Sequence, residues 1–191
     1  MKLYMVRHGQ SETNLARKFT GWAQVSLTEQ GFADARRAGA YLQGKNFDRI
    51  YSSDLKRAIQ TAQTAIPGCE PIQLACLREI DVGDLSMRTF DECLAKYGEG
   101  YMEHRRALNF VPFGGENQQM MKERIASFMR MLEEDPCEQA VAFAHAGTLN
   151  TALEYVVGGL DRGHVHCVNG SVAAFSYANG RWYLDGWGLG C

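Results

Sequence analysis

Short apolar runs alternate with stretches of helical period along most of the chain. Leu3–Val6 is a continuous apolar run with β-branched and aromatic members, and it predicts a buried strand. Asp48–Ser52, Ile72–Ala75 and Gln139–Ala144 predict three more. Between them, Phe32, Ala35, Gly39 and Leu42 repeat at helical spacing behind Thr28, a suitable N-cap, and predict a helix running to Gly44. Leu55, Ile59, Ala62 and Ile66 predict a second helix, capped by Ser53-Asp54, with Arg57 in its first turn and off the apolar stripe. Met121, Ile125, Phe128 and Leu132 mark one face of a third, Glu116–Glu134, where the methionines read as core. A fourth follows His145 and ends at Val157. Strands alternating with helices in this way build a mostly parallel sheet covered on both faces. Val172–Tyr177 and Arg181–Leu184 alternate around Asn179-Gly180, a strong hairpin signal that adds an antiparallel edge.

The alternation stops between about 84 and 115. There Thr89–Tyr97 and Glu99–Leu108 are helix-like pieces closed by Pro112 and Gly114-Gly115, which suits a small cap over the carboxyl edge of the sheet. The expected fold class is α/β: three-layer α/β/α, a mostly parallel sheet with an antiparallel C-terminal edge hairpin, and a small helical cap insertion in a single domain, 1–191.

Composition narrows the function classes. The chain of 191 residues is 46% hydrophobic and 22% charged, ordinary values for a globular protein. A formal net charge of −2 leaves no overall basic footprint, so neither nucleic acid nor membrane is an expected partner. No apolar run approaches bilayer length, and the first apolar run is too short for a signal peptide; a cytoplasmic location is expected. The six cysteines are scattered without a Cys-x-x-Cys pair, so neither a disulfide framework nor a zinc ribbon is indicated.

The candidate chemistry collects at strand ends. Leu3–Val6 runs into Arg7, His8 and Gly9, and Gln139–Ala144 runs into His145, Ala146 and Gly147. In an open α/β sheet the ligand crevice lies at the carboxyl ends of the strands, which puts two imidazoles on one edge. A lone Arg-His pair is common; its echo in a second strand is harder to assign to chance. Arg57 reads on its own as a solvated surface arginine, but the N-terminus of a helix favours anions and a guanidinium there strengthens the site. Asn14 is near enough to face the same crevice, and Glu79 follows the third strand. Two guanidiniums and an imidazole around a second imidazole suit a phosphate monoester dianion. His8 could attack phosphorus in its neutral form, which the surrounding cations favour. Arg7, Arg57 and His145 would hold the equatorial oxygens. Glu79 is the carboxyl group placed to protonate a leaving alkoxide, and a nearby phosphate dianion raises its pKa toward that role.

Val6-Arg7-His8-Gly9-Gln10-Ser11-Glu12-Thr13-Asn14 resembles the signature of the histidine phosphatase superfamily, the phosphoglycerate mutase-like clan. Gly21-Trp22, Leu27-Thr28-Glu29-Gln30-Gly31 and the stretch from Tyr51 to Arg57-Ala58 follow in the family's order and spacing. So do Leu77-Arg78-Glu79 with Gly83, Gly114-Gly115-Glu116 and Ala144-His145-Ala146-Gly147, so the likeness covers essentially the whole chain. The resemblance implies His8 as phospho-acceptor, Glu79 as proton donor, Arg7, Arg57 and His145 as phosphate ligands, and no metal requirement or other cofactor. Asn14 and Gly147 stand beside them as candidate substrate contacts.

The departures also inform. Ala144 and Ala146 flank His145 where many members read Ser-His-Gly-Gly; Gln24 and Ser26 stand for the usual Asp and Pro, and Ser86-Met87 for a common Glu-Gly. The mutase branch is typically longer and carries Arg after the catalytic Glu, where Ile80 stands here. The expectation is therefore a phosphomonoesterase acting on a small phosphorylated metabolite, as monomer or homodimer, similar to the α-ribazole and broad-specificity phosphatases. Mutase-type phosphotransfer, phosphohistidine or phosphoprotein hydrolysis, and phospho-ligand binding without turnover are the alternatives.

Arg105 and Arg106, in His104-Arg105-Arg106 of the cap, are candidates for a second anion such as a substrate carboxylate, although a solvated helical face suits them too. His164, His166 and Cys167 form a His-x-His-Cys cluster of the kind a metal-dependent hydrolase would use, but no carboxylate stands at fitting spacing and no metal is expected. None of the cysteines is followed six positions later by arginine, which sets aside cysteine-based phosphatase chemistry.

Overall fold

The computed structural model describes residues 1–134, 137–159 and 165–191. Its strands are β1 (Lys2–Arg7), β2 (Arg49–Ser52), β3 (Ile72–Gln73), β4 (Gln139–Ala144), β5 (Val172–Ala178) and β6 (Arg181–Leu189). They form one sheet in the order β3-β2-β4-β1-β5-β6. The first four are mutually parallel; β5 and β6 run antiparallel at the other edge. The helices are α1 (Glu12–Leu15), α2 (Glu29–Leu42), α3 (Lys56–Ala65), α4 (Phe90–Tyr97), α5 (Gly100–Arg106), α6 (Gln118–Glu134) and α7 (Ala146–Val157). The fold is α/β, as the alternation of strand and helix predicts.

Strand periodicity makes the three layers. Alternate residues of β1 point to opposite faces: Leu3 and Met5 join Ile125, Phe128 and Leu149 of α6 and α7, while Tyr4 and Val6 join Ala38, Leu42 and Ala62 of α2 and α3. A strand covered on both faces has no place for a polar residue, which is why β1 and β4 are continuous apolar runs. The predicted face of α6 is the buried one, with Met121, Ile125, Phe128 and Leu132 at most 1% exposed. Phe128 stands edge-on to Tyr51 at 5.6 Å, and truncating such a ring to alanine costs about 3–5 kcal/mol.

Four local predictions shift. The buried face of α3 is Arg57, Ala58, Thr61, Ala62 and Ala65, with Ile59 and Ile66 only half-buried. The reason is the approach of α2: a Cβ on Gly39 would lie 2.5 Å from the Ala65 carbonyl, so only small residues fit the seam and the isoleucines move to its margin. Ser53 caps no helical N–H; its Oγ accepts from Leu55 N, just before α3. β3 is two residues long and gives way to a 3-10 turn, Ala75–Leu77, so Glu79 lies beyond a turn rather than at a strand end. β6 runs on to Leu189 because it carries an extra residue at each of two register shifts, which keep it paired with β5 past Leu184.

The segment between about 84 and 115 carries α4 and α5. Thr89 and Glu92 form a reciprocal capping box at the start of α4. Cys93, Tyr101, Phe110 and Phe113 belong to the same buried cluster as the inner face of α6. Among the described residues, no helix is long and apolar enough to cross a membrane.

Candidate active site

Adjacency of β1 and β4 creates the site. Arg7 pairs with Ala144 in register, and His8 N donates to the Ala144 carbonyl at 2.9 Å, so the residues that follow both strands emerge together. The rings of His8 and His145 lie 5.1 Å apart, centroid to centroid, tilted at 60°. Gly9 lets the chain turn there: a Cβ on it would sit 2.1 Å from the Gly31 carbonyl in the first turn of α2.

His8 is 4% exposed and its Nδ1 lies 2.7 Å from the Gly9 carbonyl. A carbonyl can only accept, so Nδ1 carries the proton and Nε2 carries the lone pair. Arg57 Nε faces that lone pair at 3.3 Å. The other two guanidinium nitrogens of Arg57 donate to Ala23 O at 3.0 Å and Gly21 O at 2.9 Å. Arg57 is 1% exposed, which corrects its reading as a solvated arginine. Arg7 Nη1 donates to the Cys167 carbonyl, while its Nε is buried without a hydrogen-bond partner. Among the described residues neither ring nitrogen of His145 has a partner, although the ring is fully buried at the start of α7.

The electrostatics follow from this crowding of cations. Burial first, then Arg57 and Arg7, hold His8 well below the ordinary histidine value of 6.5, against the opposing bond to Gly9. Burial, then Arg57, His8, Arg124 and Arg7, do the same to His145. Burial lowers Arg57 to about 10, with Glu79 opposing and Arg7 adding to the effect. Both imidazoles are thus neutral near pH 7, one with its lone-pair nitrogen facing a guanidinium.

Glu79 reaches the same space from the turn after β3. Its Oε1 accepts from Ile80 N at 2.9 Å and its Oε2 from Gly147 N at 3.1 Å. A Cβ on Gly147 would fall 2.1 Å from Glu79 Oε1, so the carboxylate seats against a glycine because nothing larger fits. Arg7, His8, Arg57, Glu79 and Asn14 line one cleft of about 470 Å³, together with Lys18, Phe19, Thr20, Ile80, Val82, Arg105 and Phe110 among others.

Of the sequence candidates, Arg7, His8, Arg57, His145, Glu79 and Asn14 come together, and Arg105 reaches the cleft from α5. Gly147 meets it through the Glu79 carboxylate, to which its N–H is committed. Arg106 does not reach it; it points into a separate depression with Phe90, Leu94 and Met102, because successive residues on a helix face about 100° apart. His164 lies outside the described residues. The carbonyl of His166 accepts from Trp187 Nε1, and among the described residues no three His, Cys, Asp or Glu side chains group as metal ligands.

Comparison with known proteins gives this geometry its context. The profile of the Histidine phosphatase superfamily (branch 1) matches residues 3–190. The chain belongs to the histidine phosphatase superfamily. It is 39% identical over 165 residues to a 2,3-bisphosphoglycerate-dependent phosphoglycerate mutase from Brucella ovis, covering 79% of each chain. It spans 60% of the length of several other curated mutases that it matches. Its fold is similar to that of an α-ribazole phosphatase from Shigella flexneri, with a TM-score of 0.91 at 23% identity over 100% of this chain and 98% of that one. It is also similar to a mycobacterial glucosyl-3-phosphoglycerate phosphatase in complex with VO3, with a TM-score of 0.86 at 26% identity over 98% of each.

In this histidine phosphatase superfamily member the sequence pattern gives no sign of Lys18 on the cleft wall, or of Arg124, one of several charges on α6. Arg124 makes five hydrogen bonds around the Glu79 turn, described below. The pairing of Gly114-Gly115-Glu116 with Leu77-Arg78-Glu79 in the family pattern was the available signal. Trp22, noted within that pattern, donates from Nε1 to the Glu79 carbonyl at 2.7 Å. Its ring also receives Arg78, which is ion-paired with Asp54.

Proposed function

We propose that the protein hydrolyses phosphomonoesters of small metabolites through a phosphohistidine on His8, without a metal ion. The observation that carries the reading is the tautomer: the proton is held on Nδ1 by the Gly9 carbonyl, and Nε2 opens onto Arg57 with His145 at its side. The unpaired Arg7 Nε and the one N–H of the neutral His145 ring are the kind of buried donors that phosphate oxygens satisfy.

In the first step the Nε2 lone pair attacks phosphorus and the P–O ester bond breaks. Its electron pair stays on the leaving oxygen, which takes a proton from the Glu79 carboxyl group. In the second, Glu79, now a carboxylate, removes a proton from water as the water oxygen attacks phosphorus. The P–N bond breaks, its pair returns to Nε2, and inorganic phosphate leaves. Arg7, Arg57 and His145 stabilise charge on the equatorial oxygens in both transition states.

Mutase-type transfer is the second reading, favoured by the 39% identity to the Brucella ovis enzyme, above that to either phosphatase. The two differ only in what accepts the phosphoryl group from His8: water, or a second hydroxyl. Incubation of wild type and His8→Ala with a phosphomonoester panel in excess chelator tests the first reading. Phosphate release that survives the chelator and disappears in the variant is the expected result; loss to the chelator overturns it. Conversion of 3-phosphoglycerate to 2-phosphoglycerate, primed by 2,3-bisphosphoglycerate and faster than phosphate release, would establish the second. Arg105 is proposed as a contact for an anionic group remote from the phosphate. Arg105→Ala should raise KM for carboxylated phosphoesters about tenfold, the scale of one lost exposed charge contact, and leave aryl phosphates unchanged.

A further inference from the structure

We propose that Arg124, with Glu116 as its counter-ion, is a positioning residue for Glu79 and acts on the protonation of the leaving group. The inference rests on the reading of Glu79 as the general acid.

Arg124 is absent from the cleft wall and touches none of the candidate phosphate ligands by hydrogen bond. Every N–H of its guanidinium is nonetheless engaged. Nη1 donates to the Cys76 carbonyl at 2.8 Å and the Arg78 carbonyl at 2.6 Å, and Nη2 donates to the Glu79 carbonyl at 2.9 Å. Nε and Nη2 form a fork on the Glu116 carboxylate at 3.0 and 2.9 Å. The side chains are 15% and 9% exposed, so the pair is shielded from competing water.

Three bonds to the carbonyls of Cys76, Arg78 and Glu79 leave the backbone of the turn that carries Glu79 little freedom to rotate. Glu116 extends the hold to the far side: its Oε2 accepts from Asp81 N at 3.0 Å, and its own N–H donates to the Asp81 carbonyl at 2.9 Å. Gly115 and Gly83 allow these backbones to meet, since a Cβ on either would lie 2.4 Å or less from a carbonyl oxygen opposite. Residues on both sides of Glu79 are therefore tied to one guanidinium on α6. Its carboxylate accepts from Ile80 N and Gly147 N and inherits its placement from that frame.

A planar fork with five donors has no substitute in lysine, which offers three donors from a point. The test is therefore a comparison of leaving groups. Alkyl phosphates need a proton on the departing oxygen; p-nitrophenyl phosphate leaves without one. Arg124→Lys should lower kcat/KM, which reports the steps up to departure of the leaving group and not the later hydrolysis of the phosphoenzyme, about 10- to 100-fold for an alkyl phosphate, within the range of general-acid contributions, while changing kcat/KM for p-nitrophenyl phosphate less than about threefold. Competitive inhibition by inorganic phosphate should stay at its wild-type value. Glu116→Gln should show the same selective loss on a smaller scale, because one carboxylate oxygen becomes an amide donor facing Arg124 Nε. Equal losses on both substrates, or a weakened phosphate inhibition constant, would overturn the proposal. If Arg124→Lys does not fold, Glu116→Gln decides by the same ratio. Glu79→Gln serves as the reference: equal losses there would remove the general-acid reading itself, whereas selectivity in Glu79→Gln without selectivity in the other two would remove only Arg124 and Glu116.

Discussion

His8 and His145 occupy matching places, each one residue past a buried strand of the same sheet, yet the protein treats them differently. His8 has one ring nitrogen tied to the Gly9 carbonyl and the other facing Arg57. His145 has neither nitrogen engaged. Both are kept neutral by burial and by the same arginines. A ring whose tautomer is set by a backbone carbonyl presents a defined lone pair, which suits a nucleophile. A ring with two free nitrogens in a buried, cationic place suits a donor that waits for an anion. Equivalent sequence positions thus acquire different chemistry from one hydrogen bond.

The largest effects should come from breaking that asymmetry. His8→Ala is expected to lower kcat by at least about 10⁴-fold, the scale of losing a covalent nucleophile, and to abolish phosphoenzyme formation in rapid-quench labelling. His145→Ala should cost about 10²–10³-fold, the scale of one lost donor to a developing charge, while labelled phosphoenzyme still forms. Label retained without His8 and absent without His145 would reverse the assignment. Gly147→Ala should act next, by about 10- to 100-fold on kcat for alkyl phosphates, because the new methyl collides with Glu79 Oε1. A wild-type rate would show that the carboxylate has another productive seat.

The smallest effect is on stability. Well above pH 6.5 both histidines are neutral whether the chain is folded or not, and they contribute no pH dependence. Below it the unfolded chain binds protons that the native rings, held at lower pKa, do not; stability therefore falls as pH drops, until the native rings protonate. Tm should decline by a few degrees per pH unit below about 6.5 on this account. His145→Gln should lessen the decline, and an unchanged slope in that variant would assign it to other groups.

Much of the fold is legible from local pattern. Thr28 caps α2 as read, α6 buries the four apolar positions assigned to it, and β4 has the predicted bounds. Misreadings fall where packing outranks periodicity. Ile59 and Ile66 lost the core face of α3 to alanines because α2 lies too close for larger residues. Within the candidate site, the strand-end histidines and arginine were legible because a polar pair ending an apolar run breaks the pattern. Arg124 was not, since one arginine on an amphipathic helix looks like any other solvated charge.

Sequence alone determined which segments are strands and helices, that two of the strands end in histidine, and that the chain carries the family's ordered motifs. These follow from short-range preferences and from the spacing of residues along the chain. Only tertiary structure decided that β1 and β4 are neighbours, which turns two distant histidines into one site. It also decided that Arg57 is buried against His8, that Arg105 and not Arg106 meets the cleft, and that Arg124 grips the turn of Glu79. Strand order, burial and the direction of a long side chain depend on what packs opposite, and that partner lies far away in the chain.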